Sequence, residues 1–236
     1  MLRVTTISDM HGKHSKLDKY LPGGDVLFCT GDITPHGKHS EEGITEVLFW
    51  LNKQNYARIV FVAGNHDYFF QKNRVLIRQL VSKFPKLVYL EDEQIWLTIN
   101  NVTFSVFGSP HAPVANNNAF LLTDPDKLNL RFAAANHPDV VLTHGPPHGI
   151  LDGIGYGRHA GCKFLHSKLK ILNPKLFLFG HIHQGYGHEV VHGTHYFNGS
   201  VLSKSYQFEN VPLSFVWKFD TNGVFFDGKD EEGSGK

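Results

Sequence analysis

The sequence predicts an α/β fold in which two mixed β-sheets form a sandwich with helices on the outside. Three observations predict it. Short runs of β-branched and aromatic residues recur along the chain and end in Gly, Asp or His, which reads as strands. In the first half these runs alternate with segments of helical spacing, the pattern of parallel strands joined by crossover helices. In the second half they come as hairpin-like pairs, 95–99 with 102–107 across Asn100-Asn101, and 213–219 with 224–226 across Thr221-Asn222-Gly223.

In chain order, strands are expected at 4–7, 25–29, 58–63, 95–99, 102–107, 139–143 and 175–179, then at 188–191, 195–197, 213–219 and 224–226. A helix is expected over 42–52, where Ile44, Val47, Leu48 and Leu51 fall at i, i+3, i+4 and i+7. A second is expected over 71–84, with Val75, Leu76 and Leu80 on its apolar face and Ile77 and Val81 alongside. The segments 126–135 and 159–172 have the same spacing. With 236 residues, 41% of them hydrophobic, the chain can build one core, so one domain is expected over 1–228. The charged, Gly/Ser-rich residues 229–236 are expected to be a disordered tail.

Charge excludes some functions. Lys and Arg total 23 against 22 Asp and Glu, a net charge of +1, so there is no basic footprint for nucleic acid. No apolar stretch approaches the ~20 residues that span a bilayer. Met1-Leu2-Arg3 leads straight into a strand-like run, and a soluble, cytoplasmic setting is expected. The two cysteines do not make a disulfide framework, and Cys29, inside an apolar run, reads as a buried filler. The unusual count is 16 histidines. Histidine is a frequent metal ligand and proton carrier near neutral pH.

Position decides what these histidines do. Five short motifs break hydrophobic runs: Asp9-Met10-His11-Gly12, Gly31-Asp32, Gly64-Asn65-His66-Asp67, Thr143-His144-Gly145 and Gly180-His181-Ile182-His183. Residues just past the last ladder bond of a strand project from the carboxyl edge of the sheet, where α/β sheets form their binding crevices. The strands therefore deliver seven ligand-type side chains to one rim: Asp9, His11, Asp32, Asn65, His144, His181 and His183. Mixed imidazole and carboxylate donors suit Mn, Fe, Zn or Co better than Mg or Ca. Seven donors exceed one ordinary site and suit two divalent ions sharing a bridging carboxylate. Such a pair can hold a hydroxide between its ions and clamp a phosphoryl group. Outside the motifs, His14 and His148 are candidates for lining the pocket. His36, His39 and His111 read as surface residues, and His159, His188, His192 and His195 as surface or strand residues. The segment Asn198-Gly199-Ser200 is a candidate for the edge of the rim.

This order of motifs resembles that of the calcineurin-like metallophosphoesterases, and it runs from Asp9 to His183. The runs Thr143-His144-Gly145-Pro146-Pro147, Gly161-Cys162 and Asn173-Pro174-Lys175-Leu176, with the segment Phe179-Gly180-His181-Ile182-His183-Gln184-Gly185-Tyr186-Gly187, are similar to the metallophosphoesterase-domain-containing branch. That branch resembles the class III cyclic nucleotide phosphodiesterases. The resemblance implies a four-layer α/β/β/α sandwich. It also implies that Asp9, His11 and His183 bind a first metal, that Asn65, His144 and His181 bind a second, and that Asp32 bridges them. Manganese is the favoured ion. His66 would serve as general acid or as a stabiliser of the leaving oxygen, and Asp67 is the second catalytic candidate. Related protein phosphatases carry an Asp where this chain has Pro35, which leaves the orientation of His66 to Asp67 or to a carboxylate of the metal site. Some animal members of the branch have Gly where this chain keeps His181.

The function expected is hydrolysis of a small phosphodiester, with cyclic nucleotides among the candidates, by a metal-bridging hydroxide. Two alternatives stand beside it: a phosphomonoesterase or protein phosphatase on the same site, and a scaffold that binds without turnover.

Overall fold

Residues 1–35, 40–111 and 118–226 are described by the structure, a computed structural model. His36, His39 and the expected tail at 229–236 lie outside the described residues. The first sheet contains β1 (Leu2–Ile7), β2 (Gly24–Thr30), β3 (Tyr56–Val62), β4 (Leu87–Tyr89), β11 (Leu213–Lys218) and β12 (Gly223–Phe226), in the order β12-β11-β1-β2-β3-β4. Strands β1 to β4 run parallel, and β11 and β12 complete the sheet antiparallel to their neighbours. The second contains β5 (Glu93–Ile99), β6 (Val102–Ser109), β7 (Val140–Thr143), β8 (Leu176–Phe179), β9 (Gly187–Val191) and β10 (Thr194–Asn198), in the order β5-β6-β7-β8-β10-β9. There β6, β7, β8 and β10 are parallel, with an antiparallel strand at each edge.

Strict alternation along the inner strands creates the layers, because successive side chains leave a strand on opposite faces. Val26 and Phe28 of β2, Val60 and Val62 of β3, Val140 and Leu142 of β7, and Leu176 and Leu178 of β8 all point into the space between the sheets. Phe197, Phe215 and Trp217 fill that space from β10 and β11, and each fully buried aromatic contributes on the order of 2 kcal/mol. The intervening residues Leu27, Cys29, Ile59 and Phe61 face α1 (Glu41–Lys53), α2 (Tyr68–Lys72) and α3 (Arg74–Val81). Val141, Phe177 and Phe179 face α4 (Pro125–Arg131) and α5 (Lys163–Leu172) on the other side. The result is helices, sheet, sheet, helices.

Local chemistry sets the helix ends. Ser40 caps α1 by accepting from Gly43 N at 3.2 Å, and Asp124 caps α4 ahead of Pro125 in the first turn. Two helical expectations need correction. The segment 71–84 is not one helix: Asn73 at φ −125° and ψ 43° separates α2 from α3, and Val75 is 73% exposed rather than on the packed face. The segment 159–172 becomes helical only from Lys163, because Gly161 N is held by Asp152 and His159 bridges back to Gly153 in a hairpin. Strand β4 was not expected; three residues are too few to show a period. The Asn100-Asn101 turn formed as read, with both residues at positive φ, as a tight hairpin requires.

Candidate metal centre

Strand ends from both sheets build one rim. Past the ends of β1, β2 and β3 stand Asp9, Asp32 and Asn65, and past β7 and β8 stand His144 and His181. Backbone hydrogen bonds tie these turns together. Asp9 N donates to Gly31 O at 3.0 Å, His11 N to Asp32 O at 2.9 Å, and Gly180 N to His144 O at 2.9 Å. The two sheets meet where Ser8 N donates to Gly199 O at 2.7 Å, beside a parallel bridge between Ser8 and Ser200.

The motif glycines answer a steric demand. A Cβ on Gly180 would stand 2.0 Å from Ser8 Oγ and 2.3 Å from Asp9 Oδ2, and one on Gly64 would stand 2.2 Å from Asp32 Oδ1. Four of the seven expected ligands adopt left-handed backbone: Asp9 (φ 57°), His11 (φ 43°), Asp32 (φ 50°) and His181 (φ 69°). Such residues each cost on the order of 1 kcal/mol and persist where surrounding structure enforces them. The strain aims donor atoms at a common point.

Two tight groups result, Asp9 with His11 and His183, and Asp9 with Asp32 and His144, the donor atoms of each lying within 4.8 Å of one another. Asp9 Oδ1 is 3.4 Å from His183 Nε2 and 4.0 Å from His11 Nε2. Asp9 is common to both groups, and Asp32 Oδ2, in the second, also reaches the first: it is 3.4 Å from His144 Nε2 and 3.6 Å from His11 Nε2. Asn65 Oδ1 is 2.8 Å from His144 Nε2. His181 stands outside both tight groups; its ring lies 5.1 Å from that of His144, and its backbone N–H donates to Asp9 Oδ2 at 2.9 Å.

Outer contacts fix the imidazoles. His144 Nδ1 donates to Thr30 O and His183 Nδ1 to Ser203 O, both at 2.8 Å. A backbone carbonyl can only accept, so each Nδ1 carries a proton and each Nε2 is aimed inward, where a cation that displaced its proton would meet a lone pair, the usual arrangement behind a metal-binding imidazole. Asp9 is anchored in turn by Ser200 Oγ at 2.8 Å from its Oδ2.

Charges are crowded here. Burial opposes ionisation of Asp9, yet His183, His144 and His11 hold its carboxyl well below the usual range. Asp32 is likewise lowered against its burial by His144 and His11. Burial works against a charged His144, but Asp32 and Asp9 push it up to about 10. His181 goes the other way, down to about 4, through burial and the neighbouring His144. The carboxylates thus draw positive charge into the rim. Among the described residues no donor reaches buried Asp9 Oδ1 in hydrogen-bonding geometry. An orphaned carboxylate oxygen, inward-facing imidazole nitrogens and a neutral amide oxygen fit a divalent transition-metal ion.

The sequence profile of the calcineurin-like phosphoesterases matches residues 2–185. This chain belongs to that family. Metallophosphoesterase domain-containing protein 1 of Homo sapiens is 32% identical over 230 residues, covering 89% of this chain and 69% of its own length. A 3′,5′-cyclic-nucleotide phosphodiesterase of Nostoc is 25% identical over 216 residues, covering 90% and 75%. A probable rhamnogalacturonate lyase C of Emericella nidulans is 34% identical over 197 residues, but the chain spans only 18% of its length. Among solved structures, TT1561 of Thermus thermophilus shares the fold at a TM-score of 0.68 and 15% identity, covering 94% of this chain and 96% of that one.

In this chain His66 is half-buried at the rim. Its backbone N–H donates to Asp32 Oδ1 at 2.8 Å, and its ring meets that of His11 edge-on at 5.3 Å. Asp67 is placed differently from a group that works on substrate. It is fully buried, and its oxygens accept from Gly64 N (2.8 Å), Ile33 N (3.2 Å), Thr34 N (3.0 Å) and Thr34 Oγ1 (2.6 Å). It therefore staples the third motif to the second. Burial and the charge of Asp32 push it up to about 6, against those hydrogen bonds.

Other placements differ from the sequence reading. His111 is buried, not on the surface, with Nδ1 3.1 Å from Asp92 Oδ1. His14 is buried against Trp50. His148 and His159 flank buried Asp152, at 3.7 and 2.6 Å. Tyr206 escaped the sequence reading altogether: its ring meets those of His11 and His183 at 4.9 and 5.4 Å. A tyrosine in a Ser-rich loop carries no motif. The position of Ser203 and Tyr206, downstream of the Asn198-Gly199-Ser200 turn, was the only available signal.

Proposed function

We propose that this chain hydrolyses phosphodiesters at a binuclear metal centre held by Asp9, His11 and His183 on one side and Asn65, His144 and His181 on the other, with Asp32 shared. The observation that carries the reading is the position of Asp32 Oδ2, 3.6 Å from an imidazole nitrogen of one group and 3.4 Å from one of the other. When bound, the ions would supply Lewis acidity to the phosphoryl oxygens and lower the pKa of a water toward ~7.

The chain's own residues do the rest. His144 and His183, locked through Nδ1, keep Nε2 directed inward, and Ser200 and His181 N hold Asp9 in place. Only Asp9 and Asp32 among the seven donors carry formal negative charge, so a loaded site stays cationic and favours an anionic ester. His66 reaches the rim beside His11 and donates a proton or hydrogen bond to the departing alkoxide. Asp67 acts as a positioning residue for the His66 turn rather than as a proton carrier. The name of the Nostoc relative supports a diester substrate.

The test is a manganese-supplemented screen over phosphomonoesters, phosphodiesters and cyclic phosphates, run beside metal analysis. Turnover of diesters, lost on chelation and restored by manganese, is expected. Turnover that survives exhaustive metal removal, or activity confined to monoesters, rejects the proposal.

A further inference from the structure

One continuous stretch, Ser200 to Tyr206, touches every side chain of the first proposed half-site. Ser200 Oγ donates to Asp9 Oδ2 at 2.8 Å, and Ser203 O accepts from His183 Nδ1 at 2.8 Å. The Tyr206 ring meets the rings of His11 and His183 at 4.9 and 5.4 Å, edge-on to both at 82° and 79°. The stretch supplies none of the seven proposed donors, and it lies beyond residues 2–185, which the family profile covers. The second half-site is braced from elsewhere. His144 Nδ1 donates to Thr30 O at the end of β2, its Nε2 is 2.8 Å from Asn65 Oδ1, and the His181 ring lies edge-on to it at 5.1 Å.

The stretch is itself held in a costly shape. Tyr206 has φ 58°, a left-handed backbone that costs a bulky residue about 1 kcal/mol or more. Three bonds enforce it: Ser203 N donates to Gln207 O at 2.7 Å, Tyr206 N to Ser203 O at 2.8 Å, and Gln207 N to Ser203 Oγ at 3.2 Å. The base is fixed by Val201 N, which donates to Ser8 O at 3.1 Å, and by Asn210 Nδ2, which donates to Ser200 O at 3.0 Å. Lys13, two residues past His11, closes the loop by donating from Nζ to Tyr206 O. Strained residues persist where their surroundings over-determine them, and they gather at ligand sites.

We propose that residues 200–206 form a clasp specific to the half-site of Asp9, His11 and His183, with Tyr206 and Lys13 as positioning residues that hold the two imidazoles ready for a divalent ion. The ring of Tyr206 keeps His11 and His183 from turning away, and Lys13 fastens the tyrosine to the motif that carries His11. Ligands ordered beforehand spare the binding step the entropy of ordering them. The inference rests on the binuclear reading and adds which part of the chain sets the affinity for one ion and not the other.

Calorimetric titration of the full chain with manganese tests it without requiring turnover. Two backgrounds separate the half-sites: Asn65→Ala leaves the first intact, and His11→Ala leaves the second. In the Asn65→Ala background, Tyr206→Ala is expected to weaken manganese binding about tenfold, within the range by which outer contacts of metal ligands act. Lys13→Met should weaken it severalfold, and Tyr206→Phe, which keeps the ring, should bind as tightly as the background itself. In the His11→Ala background the same substitutions should change nothing, whereas a general loosening of the fold would weaken both backgrounds alike. Equal weakening in both backgrounds overturns the inference. So does unchanged affinity in either Tyr206→Ala or Lys13→Met, or a loss in Tyr206→Phe as large as in the alanine variant. Lys13→Met alters only the tie, so it decides the case if the alanine variant does not fold. Failure of the diester screen leaves the result untouched, because manganese alone is the probe. A wild type that binds a single ion rejects the binuclear reading, and the response of that ion to Tyr206→Ala still decides the clasp.

Discussion

At Gly180 a single hydrogen separates the backbone from Asp9. A methyl group there would overlap Ser8 Oγ and Asp9 Oδ2, both part of the rim. Gly180→Ala is expected to lower stability by about 1–3 kcal/mol and to release metal, read by urea unfolding and by elemental analysis of the purified variant. An alanine variant with full metal content and wild-type unfolding would show that the turn relaxes freely. His66→Ala tests a different property. It removes the imidazole while the backbone N–H that binds Asp32 stays. The expected outcome is normal metal content with kcat lower by about 10² to 10⁴. The residues of the five motifs were legible in the sequence because the donor chemistry restricts each position to Asp, Asn or His. Asp67 was legible as a member of its motif but not in its task. Whether a carboxylate faces substrate or closes a turn depends on where Ile33 and Thr34 lie, and no local pattern carries that.

Elements were legible where their period was long enough to count. The alternation in β2, β3, β7 and β8 reflects burial on both faces, and the sequence reading located all four. It failed at α2 and α3, where an apolar run with helical spacing continues through Asn73 although the backbone does not. At that corner Asn73 closes α2 locally, its backbone N–H and its side-chain Nδ2 both donating back to Phe69 O. At the far edge of the second sheet, β9 and β10 carry a histidine relay. His195 Nε2 meets Asn222 O at 3.1 Å, and His188 Nε2 meets His195 Nδ1 at 3.1 Å, linking this edge to the β11–β12 hairpin of the other sheet. His188 stacks on Phe197 at 4.4 Å. Burial, helped by His195, pulls His188 from 6.5 down to about 4. Within that window the unfolded chain binds the proton that the folded chain refuses, so stability rises with pH. Above the unfolded value the penalty vanishes; as pH falls from 6.5 toward 4 it grows. Urea midpoints measured at pH 7.5 and pH 5 should therefore fall less in His188→Phe than in the wild type. Equal falls in both proteins would remove His188 from the account.

At the scale of the whole molecule, metal and fold are linked. The proposed donors come from both sheets, so an ion bound there stabilises the sandwich and not one turn. At a free concentration 100 times its dissociation constant, a ligand specific to the folded state adds about 2.7 kcal/mol. For a chain of this size that corresponds to a rise of roughly 5–10 °C in Tm. Manganese added to the chelated protein should produce it, and Asp32→Asn should reduce it, as followed by calorimetry. An unchanged Tm with measured metal uptake would place the ion elsewhere.

The hydrogen bond from Ser200 to Asp9 spans 191 positions of the chain. During synthesis Asp9 is made 191 positions before the residue that anchors it. The first sheet cannot complete its rim alone, since Ser8 and Asp9 await the turn that follows β10. A nascent chain that has not yet reached Ser200 exposes scattered histidines without a finished rim, so the proposed metal loading has to follow synthesis of the turn after β10.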